Sequence, residues 1–273
     1  MSISFDEQEA VQAWERRAGI RSLLMAEATR QMLDAAQLRP GGHVLDVGTG
    51  TGDTALLAAQ RVGPDGHVLA IDASPEMVNL ARDKIEKSGV SQIEVRVMDG
   101  ADLDLPEASH DAVIGRNAMM FLPGWPAPLQ RFHRVLRPGG RLAFIVWASP
   151  EENPFFHLPV ALVREHGWLR IPTDTVEIPF RLADADRLRA DLKSAGFITS
   201  AVERVAIEVR ISEAAPLLAY IREGPLFRAN VDHLTESERL DLDEALVDAI
   251  ERFREGSGYL IRAVSLVATG ARP

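Results

Sequence analysis

The chain has 273 residues with 30 Lys and Arg against 40 Asp and Glu, a formal net charge of −10, and 46% of its residues are hydrophobic. That size and balance suit one large globular domain, or a core with an elaborated lid, and the acidic surface disfavours a nucleic-acid substrate because it repels phosphate backbones. The absence of cysteine excludes disulfides, thiolate catalysis and thiolate metal sites.

In chain order, residues 7–18 and 20–37 read as helices, the second with Leu23, Leu24, Met25, Met32, Leu33 and Ala36 at helical spacing. After the turn Arg39-Pro40-Gly41-Gly42, short apolar strands at 43–47, 67–71, 92–97, 111–115 and 140–147 alternate with helices at 53–61, 75–87 and 125–136. Such alternation predicts a parallel sheet with helices on both faces. Residues 148–180 break the rhythm with five prolines among aromatic side chains. A helix at 184–195 with Gly196 as C-cap, a strand near 198–209, helices over about 213–255 and a last strand at 259–269 complete the chain.

The expected organisation is an N-terminal helical cap (1–39), a core (40–147), an insertion (148–180), core again (181–212), a helical lid (213–256) and a final core strand (257–273). Ligands of such folds bind beyond the carboxyl ends of the strands, which is where both insertions leave the sheet. No internal repeat is found. The acidic start, Met1–Glu7, lacks the apolar stretch of a signal peptide, and no run approaches the roughly 20 residues of a membrane span, so a cytoplasmic protein is expected. The oligomeric state is left open.

The sharpest motif is Val44-Leu45-Asp46-Val47-Gly48-Thr49-Gly50-Thr51-Gly52. A strand runs into three alternate glycines, which let the chain turn tightly and a ligand approach the amides at the start of the next helix. The dinucleotide fingerprint is G-x-G-x-x-G; here the position of its third glycine holds Asp53. Asp46 would favour a cationic ligand such as S-adenosylmethionine (SAM), with its ammonium and sulfonium, over a pyrophosphate. Asp72, at the end of the second strand, is placed to accept from both hydroxyls of a ribose, while Ser74 and Pro75 start a helix. Asp99, after the third strand, is placed to accept from the amine of adenine. Met77 and Met98 are candidates to pack on the purine, with ordinary core packing as the simpler reading.

Together, Val44–Gly52, Asp72, Asp99-Gly100-Ala101, Asp111–Asn117 and Val135–Leu142 resemble class I SAM-dependent methyltransferases, in particular the type 11, ubiquinone/menaquinone-biosynthesis-like group. The resemblance is strong over about residues 40–147 and looser through Ala195-Gly196-Phe197. It implies an α/β fold: a doubly wound seven-stranded, mostly parallel sheet of order 3-2-1-4-5-7-6 with helical lid insertions. It also implies that Gly48, Thr49, Gly50 and Thr51 line the methionine part of SAM. Asp72, with its neighbour Ala73, would hold the ribose, and Asp99, Gly100 and Ala101 the adenine. Arg116 and Asn117 would face the methyl region, while Asp111 would be structural. The run after the fourth strand is Asn117-Ala118-Met119-Met120-Phe121 rather than the Asn-Pro-Pro-aromatic of enzymes that act on amino groups.

These features predict methyl transfer to an oxygen or carbon of a small, planar aromatic, quinone-like or polyketide-like molecule, with S-adenosylhomocysteine as second product. Of seven histidines, His43, His67 and His110 sit at strand starts, away from the ligand edge, and His133 lies within a helix. His157, close to the end of the fifth strand, is the candidate general base. Trp147, Phe155, Phe156, Trp168, Tyr220 and Phe227 are candidate pocket walls, and Arg222 and Arg228 candidate partners for an anionic group. Trp14, Arg16 and Arg17 are candidates to cover the cofactor. No histidine pair has metal-ligand spacing backed by carboxylates, so no metal is expected. Two competing readings are a SAM-binding protein that transfers no methyl group and a nicotinamide-dependent oxidoreductase. Asp46 and Asp53 speak against the second. Arg131, Arg134, Arg137 and Arg141 read as a solvated face.

Overall fold

A computed structural model describes residues 17–170, 172, 175 and 177–273. The helix expected over 7–18 falls largely outside these residues, and Trp14 and Arg16 fall wholly outside them. The chain runs α1 (Ala18–Ala35), β1 (His43–Val47), α2 (Asp53–Val62), β2 (His67–Asp72), α3 (Pro75–Ser88), β3 (Ile93–Val97), β4 (His110–Arg116), α4 (Pro128–Val135), β5 (Leu136–Trp147) and α5 (Pro154–Glu165). It continues through α6 (Ala185–Ser194), β6 (Ile198–Ile211), α7 (Ala214–Arg222), α8 (Pro225–Val231), α9 (Glu236–Ile250), β7 (Arg254–Glu255) and β8 (Gly258–Ala271).

The strands form one sheet of order β3-β2-β1-β4-β5-β8-β6, with β7 paired to β8. β1 to β5 pair in parallel, and β8 pairs antiparallel with β5. Set aside the two-residue β7 and this is the expected 3-2-1-4-5-7-6; with it the sheet has eight strands rather than seven. Central strands of a parallel sheet are covered on both faces and read as continuous apolar runs. Val44, Leu45 and Val47 of β1 and Leu142 to Val146 of β5 are accordingly all buried.

Helix boundaries follow local chemistry. Ser74 accepts from the Met77 amide at 3.2 Å, Pro75 stands at the first helical position, and Gly89 ends α3 with a φ of 73°. Two expectations need correction. The helix expected over 125–136 begins only at Pro128, and β5 begins at Leu136 instead of residue 140. Residues 148–180 also contain a helix, α5, because Pro154 stands where no amide bond is required.

The chain divides into two compact units. One comprises Glu27–Ala148, Pro179–Val205 and Ser265–Pro273, and so holds β1 to β5. The other comprises the described residues up to Ala26 with Ser149–Ile178 and Ala206–Val264. Within this second unit Phe155, fully buried, meets Phe156, Tyr220 and Phe253 at ring-centroid distances of 5.4, 5.9 and 5.7 Å. Asn153 fastens two segments of the same unit. Its amide nitrogen donates to the carbonyls of Ser149 and Val264 at 3.0 Å, and its oxygen accepts from the Val264 amide at 3.1 Å. Asn153 is fully buried, so Asn153→Ala strands backbone groups without partners. The expected cost is about 2–4 kcal/mol, read as a lower midpoint in urea; a midpoint equal to the parent's would remove Asn153 from the unit's framework.

Candidate cofactor site

Three carboxylates stand where neighbouring parallel strands end. Asp46 is the penultimate residue of β1, Asp72 the last of β2, and Asp99 follows β3 by two positions. The register sets them along one edge, since Val47 pairs with Ile71 and Asp72 with Val97. The glycine turn leaves β1 at the same edge. Gly48, Gly50 and Gly52 have φ of 66°, 56° and 80°, conformations that cost an L-residue strain. A Cβ at Gly48 would also lie 2.4 Å from that of Ala118.

Hydrogen bonds fix this turn to β2. The Thr49 amide donates to the Ile71 carbonyl at 2.9 Å. The Gly50 amide donates to Asp72 Oδ2 at 2.9 Å and the Ser74 amide to Asp72 Oδ1 at 3.0 Å. Each Asp72 oxygen is therefore oriented by a backbone amide. Asp99 Oδ1 accepts from the Ala101 amide at 2.8 Å, a local turn that fixes an otherwise exposed carboxylate. Gly100 between them is buried, and a Cβ there would meet Val47 Cγ1 at 2.5 Å. Ala73 is exposed, whereas Met77 is only 3% exposed and belongs to the core of α3.

Asp53 has a role that sequence reasoning does not supply. It accepts from Thr51 Oγ1 at 2.7 Å and from Lys84 Nζ of α3 at 2.5 Å, and so clamps the end of the turn. Burial pushes its carboxyl upward, but the bonds from Lys84 and Thr51 outweigh this and hold it below the ordinary range. Lys84 lies 31 residues away, and no local pattern marks such a pair.

Asp46 is the most constrained group. It is fully buried; Thr49 Oγ1 donates to its Oδ2 at 2.7 Å, and among the described residues its Oδ1 has no hydrogen-bond partner. Burial raises its pKa from 3.8 to about 6, against the Thr49 bond and the positive charge of Arg116. Arg116 closes β4; its Nη1 donates to Thr29 Oγ1 at 3.3 Å, and its Nη2 lies 3.9 Å from Asp53. Burial draws Arg116 below its ordinary range, with Asp53 and Asp46 opposing. Asn117, next in chain, takes a left-handed φ of 53° while its amide donates to Ile145 at 2.9 Å. All the expected cofactor-binding residues thus belong to one unit and lie along the carboxyl edge of β1 to β4 and the segments that follow these strands.

The expected acceptor-side residues divide between the units. Trp147 ends β5, half-buried, in register with Ser265. The others lie in the second unit. Phe155, Phe156 and Tyr220 come together, with Arg17 3.9 Å above the Tyr220 ring. Trp168 stacks instead on His166 at 4.7 Å, and Phe227 is buried in α8. Arg222 is engaged by Asp243 at 2.9 Å, and Arg228 lies 3.8 Å from Asp232. His157 occupies the first turn of α5, and burial and Arg164 pull it below the ordinary imidazole range. His43, His67 and His110 open β1, β2 and β4, at the opposite sheet edge from the glycine turn. Asp111 also lies there, accepting from the His43 amide and from Arg137, both at 2.7 Å.

The Asp46 environment has a pH signature. The folded protein binds this proton more tightly than the unfolded chain does. The resulting stabilisation is complete below about pH 4 and is lost as pH rises through about 6. Asp46→Asn keeps the shape, can still accept from Thr49, and removes the titration. At pH 8 and without ligand it should be more stable than the parent by about 2–3 kcal/mol, with the difference vanishing toward pH 4. Equal denaturation midpoints at pH 8 would contradict the buried-carboxylate account.

Residues 44–140 match the methyltransferase-domain family. The chain is 38% identical over 133 residues to the nocamycin O-methyltransferase of Saccharothrix syringae, covering 47% of this chain and 48% of that protein. It is 33% identical over 168 residues to the aklanonic acid methyltransferase DauC of Streptomyces sp. strain C5, covering 54% of this chain and 76% of that one. The chain spans half or less of the length of several curated relatives that it matches, the nocamycin enzyme among them. The crystal structure of the YcgJ protein from Bacillus subtilis superposes with a TM-score of 0.60 at 17% identity, over 90% of this chain and 98% of that one, and so shares the fold. With a parallel sheet ending in this glycine turn and its three carboxylates, and with 33% identity to a relative of which it covers 76%, the chain belongs to the class I methyltransferases, whose methyl donor is SAM.

Proposed function

We propose that the protein transfers the methyl group of SAM to an oxygen or carbon of a small, aromatic, quinone-like or polyketide-like acceptor. The observation that carries this reading is Asp46: a buried carboxylate with one oxygen unmatched among the described residues, beside the left-handed glycine turn. A cationic ligand relieves what burial costs that group, and SAM carries both an ammonium and a sulfonium. The fit extends along the edge, with Asp72 oriented to accept from a ribose diol and Asp99 and the Gly100–Ala101 backbone disposed toward a purine edge. When bound, SAM supplies an electrophilic methyl group on sulfur. The chain's own contribution is to hold the sugar and base, to present Thr49 and Gly50 to the amino-acid part, and to flank the methyl region with Arg116 and Asn117.

The acceptor class rests on two supports. Ala118, Met119 and Met120 after β4 are buried and apolar, which suits an apolar acceptor better than a clamp for an exocyclic amine. Two relatives are a nocamycin O-methyltransferase and an aklanonic acid methyltransferase. The net charge of −10 supports the exclusion of nucleic acid as substrate. Among the described residues no helix is long and apolar enough to cross a membrane. For acceptors that must lose a proton, His157 is the proposed base: its lowered pKa keeps the imidazole neutral, and so able to accept, near pH 7.

Calorimetric titration should show saturable SAM binding, weakened about tenfold or more by Asp72→Asn, as expected for loss of a charge-assisted pair of hydrogen bonds. Affinity for the parent should fall as pH drops below about 6, where Asp46 takes up its proton, whereas Asp46→Asn should titrate little there. Radiolabelled methyl should pass from SAM to a hydroxylated polyaromatic or quinol acceptor. Binding without transfer to any phenolic, carbanion-forming or amine acceptor would leave a SAM-binding protein and end the transferase reading. His157→Ala should lower kcat about a hundredfold with the KM for SAM unchanged; retained kcat would remove the base assignment.

A further inference from the structure

At the sheet edge opposite the glycine turn, the first unit contains a cleft of about 570 Å³. Two chain segments of identical sequence bound it: Leu38-Arg39-Pro40-Gly41-Gly42 leads into β1, and Leu136-Arg137-Pro138-Gly139-Gly140 opens β5. They lie on either side of β4, since Val44 and Arg141 both pair with Ala112. Each segment turns through a left-handed glycine, Gly41 at φ 76° and Gly139 at φ 80°. The following glycine of each faces Asp111: a Cβ on Gly42 would lie 3.8 Å from Asp111 Oδ2, and one on Gly140 3.1 Å from the Asp111 carbonyl. Larger residues there would fill the floor of the cleft.

Charge gives the cleft its chemistry. Arg39, Arg137 and Arg141 line it with Asp111 as the one carboxylate among its lining residues. Asp111 is committed to Arg137 and to the His43 amide. Among the described residues, no carboxylate pairs with Arg39 or Arg141, whereas Arg131 and Arg134, which read as the same solvated face, pair with Asp102 and Glu107. A net positive cleft on a chain of net charge −10 concentrates anions against the average field. Arg39 precedes β1 and Arg141 lies in β5, on either side of β4. Two separate cations favour a ligand with more than one anionic group over a single chloride or acetate, and guanidiniums favour planar, bidentate pairing with carboxylate or phosphate oxygens.

We propose that this cleft is a second ligand site that takes a small multivalent anion, with Arg39 and Arg141 as its two grips. The site is separate from the cofactor edge and independent of the methyl-transfer reading. Inorganic pyrophosphate and citrate serve as probes for the phosphate and carboxylate sources of that chemistry. In calorimetry at low salt one or both should bind saturably, near one per chain, with a Kd at or below about 1 mM. Arg39→Gln and Arg141→Gln should each weaken binding about tenfold and the double variant about a hundredfold, as for loss of one and two charge-assisted contacts. Far-UV circular dichroism and the thermal midpoint of these exposed or half-exposed positions should stay near the parent's. Saturating S-adenosylhomocysteine should leave the anion's Kd unchanged. Failure of both probes to saturate by about 10 mM overturns the proposal. So does an affinity unchanged in the double variant, or competition by S-adenosylhomocysteine, which would put the anion at the glycine turn.

Discussion

A carboxylate removed from water at the tip of β1 sets the terms for everything around it. Asp46 is fully buried, takes one hydrogen bond from Thr49, and among the described residues leaves its other oxygen unmatched. A charge in such a place is expensive unless something positive approaches it. The nearby guanidinium of Arg116 lowers that cost without removing it. The glycine turn above it is equally committed. Its φ values exclude ordinary side chains, its first glycine is packed against Ala118, and its far end is clamped by the Lys84–Asp53 pair. Rigid backbone and an under-satisfied anion together describe a receptor for a cation, organised before the ligand arrives. Preorganisation of this kind limits the ordering that binding must otherwise pay for.

Much of the architecture is legible in the residues. β1, β2 and β4 are apolar runs bounded by glycine or by turn residues, and the structure begins them within one residue of the expected positions. The Ser74-Pro75 start of α3 carries its own signal in a side chain that caps and a ring that needs no amide bond. The candidate carboxylates Asp46, Asp72 and Asp99 stand out in the sequence because each ends or follows a strand, where the apolar run gives way to glycine and aspartate.

Other parts are hidden for physical reasons. Pro154 and Pro159 read as breakers, yet the first stands at a helix start and the helix runs through the second, so α5 escapes a reading based on proline alone. Leu136 belongs to β5 because it pairs with His110 before a register shift, after which Arg141 pairs with Ala112; the intervening Pro-Gly-Gly looks like a plain turn. The Asp53–Lys84 and Trp125–Asp191 bonds join residues 31 and 66 positions apart, and only the folded chain brings such pairs together. Arg222 and Arg228, which the sequence offers to an anionic acceptor, have nearby carboxylates in their own unit, because an acidic chain supplies local partners for most of its cations.

Asp111 joins β4 to the distant β1 and to the next strand, β5. From β4 it receives the first amide of β1, 68 residues upstream, and the Arg137 guanidinium at the opening of β5, 26 residues downstream. During synthesis, β1 and β2 can emerge and pair while this carboxylate is still unmade, but the centre of the sheet gains its cross-tie only after Arg137 has left the ribosome. The order of the sheet thus differs from the order of its making, since β4 must come in beside β1 before β5 can join on its far side.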